Sequence, residues 1–177
     1  MASLKGIRVL EMAQIMAGPT CGLLLADLGA EVIKIEKTPA GDDTRNFLPP
    51  DVNGVSAAYL MMNRNKKGIA LNLKDKEGIE IFKTMIKNSD VVLENFRKGT
   101  LEKLGIGYDT ISKINPKIIL CEISGYGRTG PYANKGGFDL VAQGMSGLMS
   151  ITGEDKNKPP MKVGAPLTDI TAGLLAA

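Results

Sequence analysis

Short runs of β-branched residues alternate with helix-like stretches through most of this 177-residue chain, and this alternation limits the folds that are available to it. Residues 8–11 predict a first strand and residues 31–35 a second. Between them, residues 19–28 predict a helix with Pro19 at its first position and Gly29 at its C-terminal stop. A helix that joins two strands in this way forms a βαβ unit, whose strands are parallel.

The alternation recurs farther along the chain. The pattern predicts helices at residues 56–64 and 76–87, the second behind Asp75 as a cap, and strands at residues 69–73, 91–94 and 118–123. Strands that are buried on both faces, with helices between them, indicate an α/β fold with a doubly wound, largely parallel sheet. Hydrophobic residues make up 44% of the sequence, enough for a core without disulfides, and neither a repeat nor a linker divides residues 1–177 into separate domains.

Charge and cysteine usage narrow the possible partners and location. The 22 basic and 19 acidic residues are mixed along the chain, which favours small anionic ligands over nucleic acid. Cys21 and Cys121 form no Cys-x-x-Cys pair and lie in apolar segments typical of reduced, buried thiols. We see neither a signal peptide nor an apolar stretch near the roughly 20 residues of a membrane span, so we expect a cytoplasmic protein without membrane contact. The chain ends in an uncapped apolar run, so we expect a truncated domain.

Three loops are candidate binding sites, because ligands of parallel sheets bind beyond the carboxyl ends of the strands. Residues 12–19 lead into a helix N-terminus, whose free N–H groups could hold a phosphate or a thiolate, although a purely structural turn explains them equally well. The proline- and glycine-containing residues 37–54 and the glycine-rich residues 124–137 form the other two. Glu36 could hold a ribose and Lys37 a phosphate, or the two could be a solvated charge pair.

The chain contains no histidine. Acid–base or nucleophilic chemistry must therefore come from carboxylates, lysines, tyrosines or backbone dipoles. Asp169, in the run GAPLTDITAG at residues 164–173, precedes an apolar helix-like segment and is the leading candidate nucleophile. The helix dipole would favour its ionised form, while a simple N-cap is the alternative interpretation.

Several motifs, in order and at family-like spacing, resemble the class III coenzyme A transferases, the relatives of formyl-CoA transferase, carnitine CoA-transferase and α-methylacyl-CoA racemase. They are GIRVLE at 6–11, AGP at 17–19, LGAEVIKIE at 28–36, Gly41 and Asp42 with Arg45, NKK at 65–67, ENFR at 94–97 and SGYGRTGP at 124–131. Members are about twice as long as this chain. The resemblance implies the N-terminal part of a Rossmann-like large domain, without the second domain and glycine-rich loop of the family, and an interlocked homodimer when full length.

The resemblance also implies site residues. Asp169 would attack an acyl-CoA thioester to form a mixed anhydride, then an aspartyl-CoA thioester, and CoA would pass to a second carboxylic acid without a metal. Asp139 would orient the thioester or cap a helix. Lys37, Arg97 and Lys103 would meet the CoA phosphates and Phe96 an apolar part of the cofactor. The full set implied for CoA is Gln14, Met16, Ala17, Lys37, Leu71, Asn72, Leu73, Lys74, Asn95, Phe96, Arg97, Lys103 and Lys135.

Two departures from the family pattern bear on the reaction. Phe138 stands where family racemases carry a histidine, which disfavours two-base racemisation. Met16 stands where formyl-CoA transferase carries a glutamine, so a larger or less polar acyl group, such as a dicarboxylate half-thioester, is at least as compatible as formyl or oxalyl. A racemase-like isomerase using Tyr126 as proton donor and a non-catalytic nucleotide-binding module remain the alternatives.

Overall fold

The computed structural model describes residues 2–155 and 157–177 and contains the predicted parallel sheet. Its spatial order is β5-β2-β1-β6-β7, and every neighbouring pair is parallel. The strands are β1 (Arg8–Glu11), β2 (Glu31–Glu36), β5 (Lys67–Ala70), β6 (Val91–Glu94) and β7 (Ile119–Glu122), with a separate antiparallel hairpin of β3 (Asp51–Val52) and β4 (Val55–Ser56). The predicted α/β class is confirmed.

Helices cover both faces of this sheet. They are α1 (Ala17–Asp27), α2 (Ala57–Asn63), α3 (Lys76–Ile86), α4 (Thr100–Lys103), α5 (Tyr108–Ile114), α6 (Asp139–Met145) and α7 (Leu167–Ala176), with 3-10 turns at Asp43–Asn46 and Leu148–Ser150. Adjacent residues of β1 point to opposite faces: Val9 packs in a cluster with Cys21 of α1, and Leu10 in a cluster with Phe82 of α3. The sheet is therefore doubly wound, as predicted.

Most element positions agree with the sequence patterns, and the differences have local causes. Helix α1 begins at Ala17, which places Pro19 in the third helical position rather than the first. The first helical N–H groups have no intrahelical acceptor, so proline is tolerated there as well. Gly29 ends the helix as predicted, with φ +100°. Asp75 precedes α3 but does not cap it with its side chain, which instead accepts a 2.6 Å hydrogen bond from Asn72.

Two further predictions, the bounds of one strand and the burial of one thiol, differ from the structure. Strand β5 lies at Lys67–Ala70 rather than 69–73, because its pairing with β2 begins at Lys67 and the chain turns after Leu71 towards α3. The thiol prediction is correct for Cys21, which is buried, and wrong for Cys121, which is half-buried because β7 is the edge strand. Both thiols are free.

The strand order creates a crevice at one point of the sheet. From β1 the chain proceeds to β2 and β5 on one side, and then returns to place β6 and β7 on the other. The connections that leave β1 and β6 therefore diverge onto opposite faces, and a gap opens between them beyond the carboxyl ends of these strands. The residues that follow β1 and β6 are thus in the position where ligands bind in sheets of this kind.

Candidate active site

The switch-point loop, which we define as residues 12–16 between β1 and α1, is held by a side chain from beyond β6. The amide group of Asn95 accepts a hydrogen bond from Gln14 N at 2.8 Å and donates one to Gln14 O at 2.7 Å. Met12 N bonds the carbonyl of Leu93 at 2.8 Å. Asn95, predicted to contact CoA, therefore uses its side chain to fix the loop that contains two other predicted contacts, Gln14 and Met16, and that leads to a third, Ala17.

A buried group of four charged side chains lies beneath this loop. Lys34 Nζ is 3.0 Å from Glu11 Oε1 and 2.8 Å from Asp42 Oδ2, and Lys66 Nζ is 2.7 Å from Glu11 Oε2. None of the four side chains is more than 2% exposed. Burial lowers the pKa of Lys66 to about 8 although Glu11 opposes this effect.

Sequence reasoning did not find this buried network. Its signal was Lys34, a cation in the middle of a strand whose neighbours are β-branched, because a lysine is buried in a sheet only when it is paired. The partners of Lys34 could not be read from the sequence, since Asp42 and Glu11 lie 8 and 23 residues away on separate elements.

Helix α7 carries Asp169 in its first turn and packs against α1. Gly173 lies against the start of α1, where a Cβ would be 2.6 Å from the carbonyl oxygen of Ala17. Ala176 packs on the cluster that contains Cys21. Asp169 lies one turn before Gly173, on the face of α7 that contacts the start of α1.

Asp139, at the start of α6, supports the beginning of α7 rather than its own helix. Its Oδ1 accepts hydrogen bonds from Thr168 N at 3.0 Å and Thr168 Oγ1 at 2.8 Å. Its Oδ2 accepts one from Gln143 at 2.7 Å, and the buried amide of Gln143 in turn accepts from Val163 N at 2.8 Å. Burial alone would raise the pKa of Asp139, but the hydrogen bonds from Thr168 lower it. Asp139 is therefore a carboxylate that positions Thr168, the residue before Asp169.

The environment of Asp169 corrects one expectation. The dipole of α7 was expected to favour ionisation, yet burial and then the charge of Asp139 raise the pKa of Asp169. The side chain is half-buried and lies inside the first turn, so it is not the N-cap of α7, which is Pro166. A partly desolvated carboxylate with a raised pKa is a stronger nucleophile than a solvated one.

A second region brings together residues predicted for the CoA phosphates. Leu73, Lys74 and Lys103 line a cavity of about 420 Å³ between the start of α3 and the end of α4. Lys76 and Lys83 line it too, so four lysines face this space against the carboxylates Asp75 and Glu80. The cavity is open enough and cationic enough for a phosphorylated ligand.

Lys37 is exposed at the end of β2 and lies beside the switch-point loop. Its Nζ is 2.5 Å from Asp43 and 3.4 Å from the side-chain oxygen of Gln14.

Glu36, the residue before Lys37, is not solvated but belongs to a packed group. Arg45 bonds both carboxylate oxygens of Glu36, at 2.6 and 2.7 Å, and lies 3.8 Å over the ring of Tyr59. Despite burial, these hydrogen bonds lower the pKa of Glu36 to about 2, so Glu36 holds the 37–54 segment.

The glycine-rich segment at residues 124–137 is fixed at both ends. The backbones of Gly125 and Gly137 touch each other, and the guanidinium of Arg97 lies over Gly136, where a Cβ would be 2.7 Å from both terminal nitrogens. Arg97 is thereby next to Lys135, which lies 4.0 Å over the ring of Tyr132. These two predicted CoA contacts are cations outside the cavity lined by Lys74, Lys76, Lys83 and Lys103.

The remaining predicted residues occupy less specific positions. Phe96 is half-buried against the core cluster of Phe82, and Leu71 belongs to that core. Asn72 bonds Asp75 at the turn before α3. The hydroxyl of Tyr126, the alternative proton donor, contacts the sulfur of Met145 at 3.0 Å, and Phe138 is 62% exposed. Within the part of the chain that the structure describes, no group of three side chains could hold a metal ion, and no helix could cross a membrane.

Two curated relatives are similar to this chain in sequence. The succinyl-CoA:glutarate CoA-transferase of Mus musculus is 48% identical over 176 residues, 99% of this chain and 40% of that protein. The succinate–glutarate CoA-transferase of Agrobacterium fabrum is 47% identical over 177 residues, 97% of this chain and 44% of that protein. This chain thus spans less than half the length of these curated relatives.

A solved structure and a family model extend the comparison. A CAIB/BAIF family protein from Brucella suis superposes with a TM-score of 0.93 at 45% identity, covering 98% of this chain and 46% of that one. The model of CoA-transferase family III matches residues 4–177. The chain therefore belongs to CoA-transferase family III.

Proposed function

We propose that this chain is the N-terminal, CoA-binding part of the large domain of an enzyme that transfers CoA from an acyl-CoA to a carboxylic acid. The observation that carries the proposal is the position of Asp169, half-buried in the first turn of α7 and one turn before Gly173, which contacts the start of α1. A carboxylate so placed can attack a thioester held against the N-terminus of α1.

The reaction proceeds by exchange of acyl groups. Asp169 attacks the thioester carbonyl and the C–S bond breaks. This step releases the CoA thiolate and forms a mixed anhydride between Asp169 and the donor acid. The thiolate attacks the aspartyl carbonyl of the anhydride and releases the donor acid, which leaves an aspartyl-CoA thioester. The acceptor acid repeats these steps in reverse and leaves as the new thioester. An anhydride preserves the activation of a thioester, so exchange is nearly neutral in free energy provided that water is excluded.

The lysine cavity, lined by Lys74, Lys76, Lys83 and Lys103, supplies phosphate-binding groups for CoA. In this proposal the lysine cavity takes the nucleotide phosphates, and Lys37 and Arg97 take phosphate charge nearer the switch-point loop. Free N–H groups at the start of α1 lie where negative charge develops on the thioester oxygen or on the thiolate. The chain provides these groups from its own backbone and side chains.

We infer dicarboxylic acids as the substrate class. Met16 removes the polar side chain that the formyl-transferring relatives carry, and the two curated relatives are named for succinyl, succinate and glutarate groups. A half-thioester of such an acid retains one free carboxylate, which distinguishes it from a formyl thioester.

Trapping of the acyl-enzyme tests the proposal. The complete enzyme is incubated with succinyl-CoA, treated with hydroxylamine, and digested for mass spectrometry. We expect a hydroxamate on the peptide that contains Asp169. If Asp169 stays unmodified with every acyl-CoA that demonstrably binds, the transferase mechanism is wrong.

The lysine cavity yields a prediction about affinity. Replacing Lys103 by glutamine should weaken CoA binding about five- to tenfold, because one charge-assisted phosphate contact is lost. Calorimetric titration with CoA and with dephospho-CoA measures the effect. Lys113→Gln, which removes an exposed lysine from α5 away from the cavity, is the charge-matched control. Equal losses in both variants would assign the effect to net charge rather than to the cavity.

The Asp139–Asp169 pair yields a prediction about pH. Because the charge of Asp139 raises the pKa of Asp169, the rate should fall on acidification through that raised pKa, as the nucleophile is protonated. Asp139→Asn keeps an acceptor for Thr168 but removes the charge, so the acidic limb of kcat should move to lower pH. A limb that stays in place shows that another group controls it.

We further propose that the complete enzyme is a homodimer. Several apolar side chains on and after α6 and on α7 are exposed, among them Met145 at 59%, Ile151 at 83% and Leu175 at 84%. Such a surface on a single chain is typical of an interface. Analytical ultracentrifugation of the complete enzyme tests this, and a monomer at micromolar concentration would contradict it.

A further inference from the structure

We propose that Asp42 is a positioning residue for the transfer reaction. Its carboxylate, anchored by the buried ammonium of Lys34, holds Ile15 in a left-handed conformation and so sets the direction in which the switch-point loop presents Met16 and Ala17. The proposal rests on the function proposed above, because it assumes that the acyl thioester is bound at this loop.

The backbone of Ile15 is in an unfavourable conformation. Its φ is +69°, a region that glycine enters freely and that β-branched residues strongly avoid. Ile15 is also 38% exposed, so packing of its side chain does not explain why the conformation is held. Strain of this kind persists only where the surrounding structure compels it.

Asp42 is the group that contacts the strained residue. Both of its carboxylate oxygens accept from Ile15 N, at 3.2 and 3.3 Å. Asp42 is 1% exposed, and its Oδ1 is held by Thr44 N at 2.9 Å and Thr44 Oγ1 at 2.8 Å. Burial alone would raise the pKa of Asp42, but Lys34 lowers it, so the acceptor stays charged.

Lys34 links this contact to the rest of the loop. The same ammonium that lies 2.8 Å from Asp42 donates to the carbonyl of Ala13 at 2.9 Å. The buried network therefore contacts the loop at residues 13 and 15, and Asn95 contacts residue 14 between them. With three consecutive residues fixed, the orientation of Met16 and Ala17 follows from the backbone of Ile15.

The test couples Asp42 to Ile15. In the complete enzyme, Asp42→Ala should lower kcat about tenfold or more with succinyl-CoA, while KM changes less than about twofold because the lysine cavity is untouched. Adding Ile15→Gly should recover at least about threefold of kcat, since glycine adopts the conformation without a clamp. Asp42→Asn keeps the side-chain volume and an acceptor oxygen, and replaces the alanine variant if that variant folds poorly. Its kcat should fall less than that of Asp42→Ala, and Ile15→Gly should produce the same recovery.

Asp90→Asn provides the matched control. Asp90 also accepts a hydrogen bond from a backbone N–H, that of Arg8 at 2.8 Å, but at the opposite end of β1 from the switch-point loop, and this variant should leave kcat within about twofold. If Ile15→Gly does not relieve the loss of kcat in Asp42→Asn, Asp42 is only a structural residue and the proposal is wrong.

Hydrogen exchange separates this proposal from the proposed function. Amides of residues 12–17 should exchange faster in Asp42→Asn than in the wild-type protein, whether or not transferase activity is found. Unchanged exchange in that segment would overturn the clamp, whereas absent activity with increased exchange would refute only the function.

Discussion

Replacing Asp169 by asparagine is expected to reduce the rate of CoA transfer at least about a thousandfold, with KM for acyl-CoA nearly unchanged. The amide has the size and shape of the carboxylate, so α7 should keep its packing on α1. It lacks the negative charge that attacks the thioester in the proposed mechanism, so the anhydride should not form. Steady-state kinetics with succinyl-CoA and glutarate, after removal of any deamidated protein, measures the effect.

The helical position of Asp169 has a matched control on the surface. Asp109 also lies in the first turn of a helix, α5, but is exposed. Asp109→Asn should retain full activity, which would exclude a general effect of removing an aspartate from a helix N-terminus. If Asp169→Asn keeps more than about a tenth of the wild-type rate, a different group is the nucleophile.

The largest effect on stability is expected from Lys34→Met. This change leaves Asp42 without a cation and Glu11 with Lys66 alone, at a site where none of these side chains is more than 2% exposed. A broken buried ion pair typically costs about 3–5 kcal/mol, because an uncompensated charge remains in a poorly solvated place. Urea denaturation of the complete enzyme should show a lower unfolding midpoint with an unchanged slope.

A lysine on the neighbouring strand serves as the comparison. Lys67 of β5 pairs with Glu31 at 2.5 Å, but its side chain is 71% exposed. Lys67→Met should therefore cost no more than about 1 kcal/mol. Similar losses in the two variants would show that burial of the Lys34 network contributes little.

The sheet could be predicted from the sequence because its central strands are buried on both faces and their apolar runs are continuous. Strands β1 and β6 were placed at their observed bounds for this reason. Helices α4 and α5 and the β3–β4 hairpin escaped prediction. None of these helices and strands is longer than seven residues, so the tertiary environment contributes strongly to its conformation.

The candidate site could be predicted only in part. The absence of histidine and the run around Asp169 led to a carboxylate, and the family resemblance implied Lys74 and Lys103, which lie at one cavity. The pKa of Asp169 could not be inferred, because it depends on Asp139, 30 residues earlier in sequence but adjacent in space. Local sequence reports the helix dipole but not the charge that opposes it.

The clamp of Asn95 on Gln14 joins residues 81 positions apart. Contacts between such distant segments form slowly, because a long loop must close before they return any free energy. The switch-point loop can acquire its shape only after β6 has docked beside β1, and Asp169 arrives later still in the chain. If Asp169 is the nucleophile as proposed, a nascent or partly folded molecule lacks it in position and does not trap acyl-CoA as an anhydride exposed to hydrolysis.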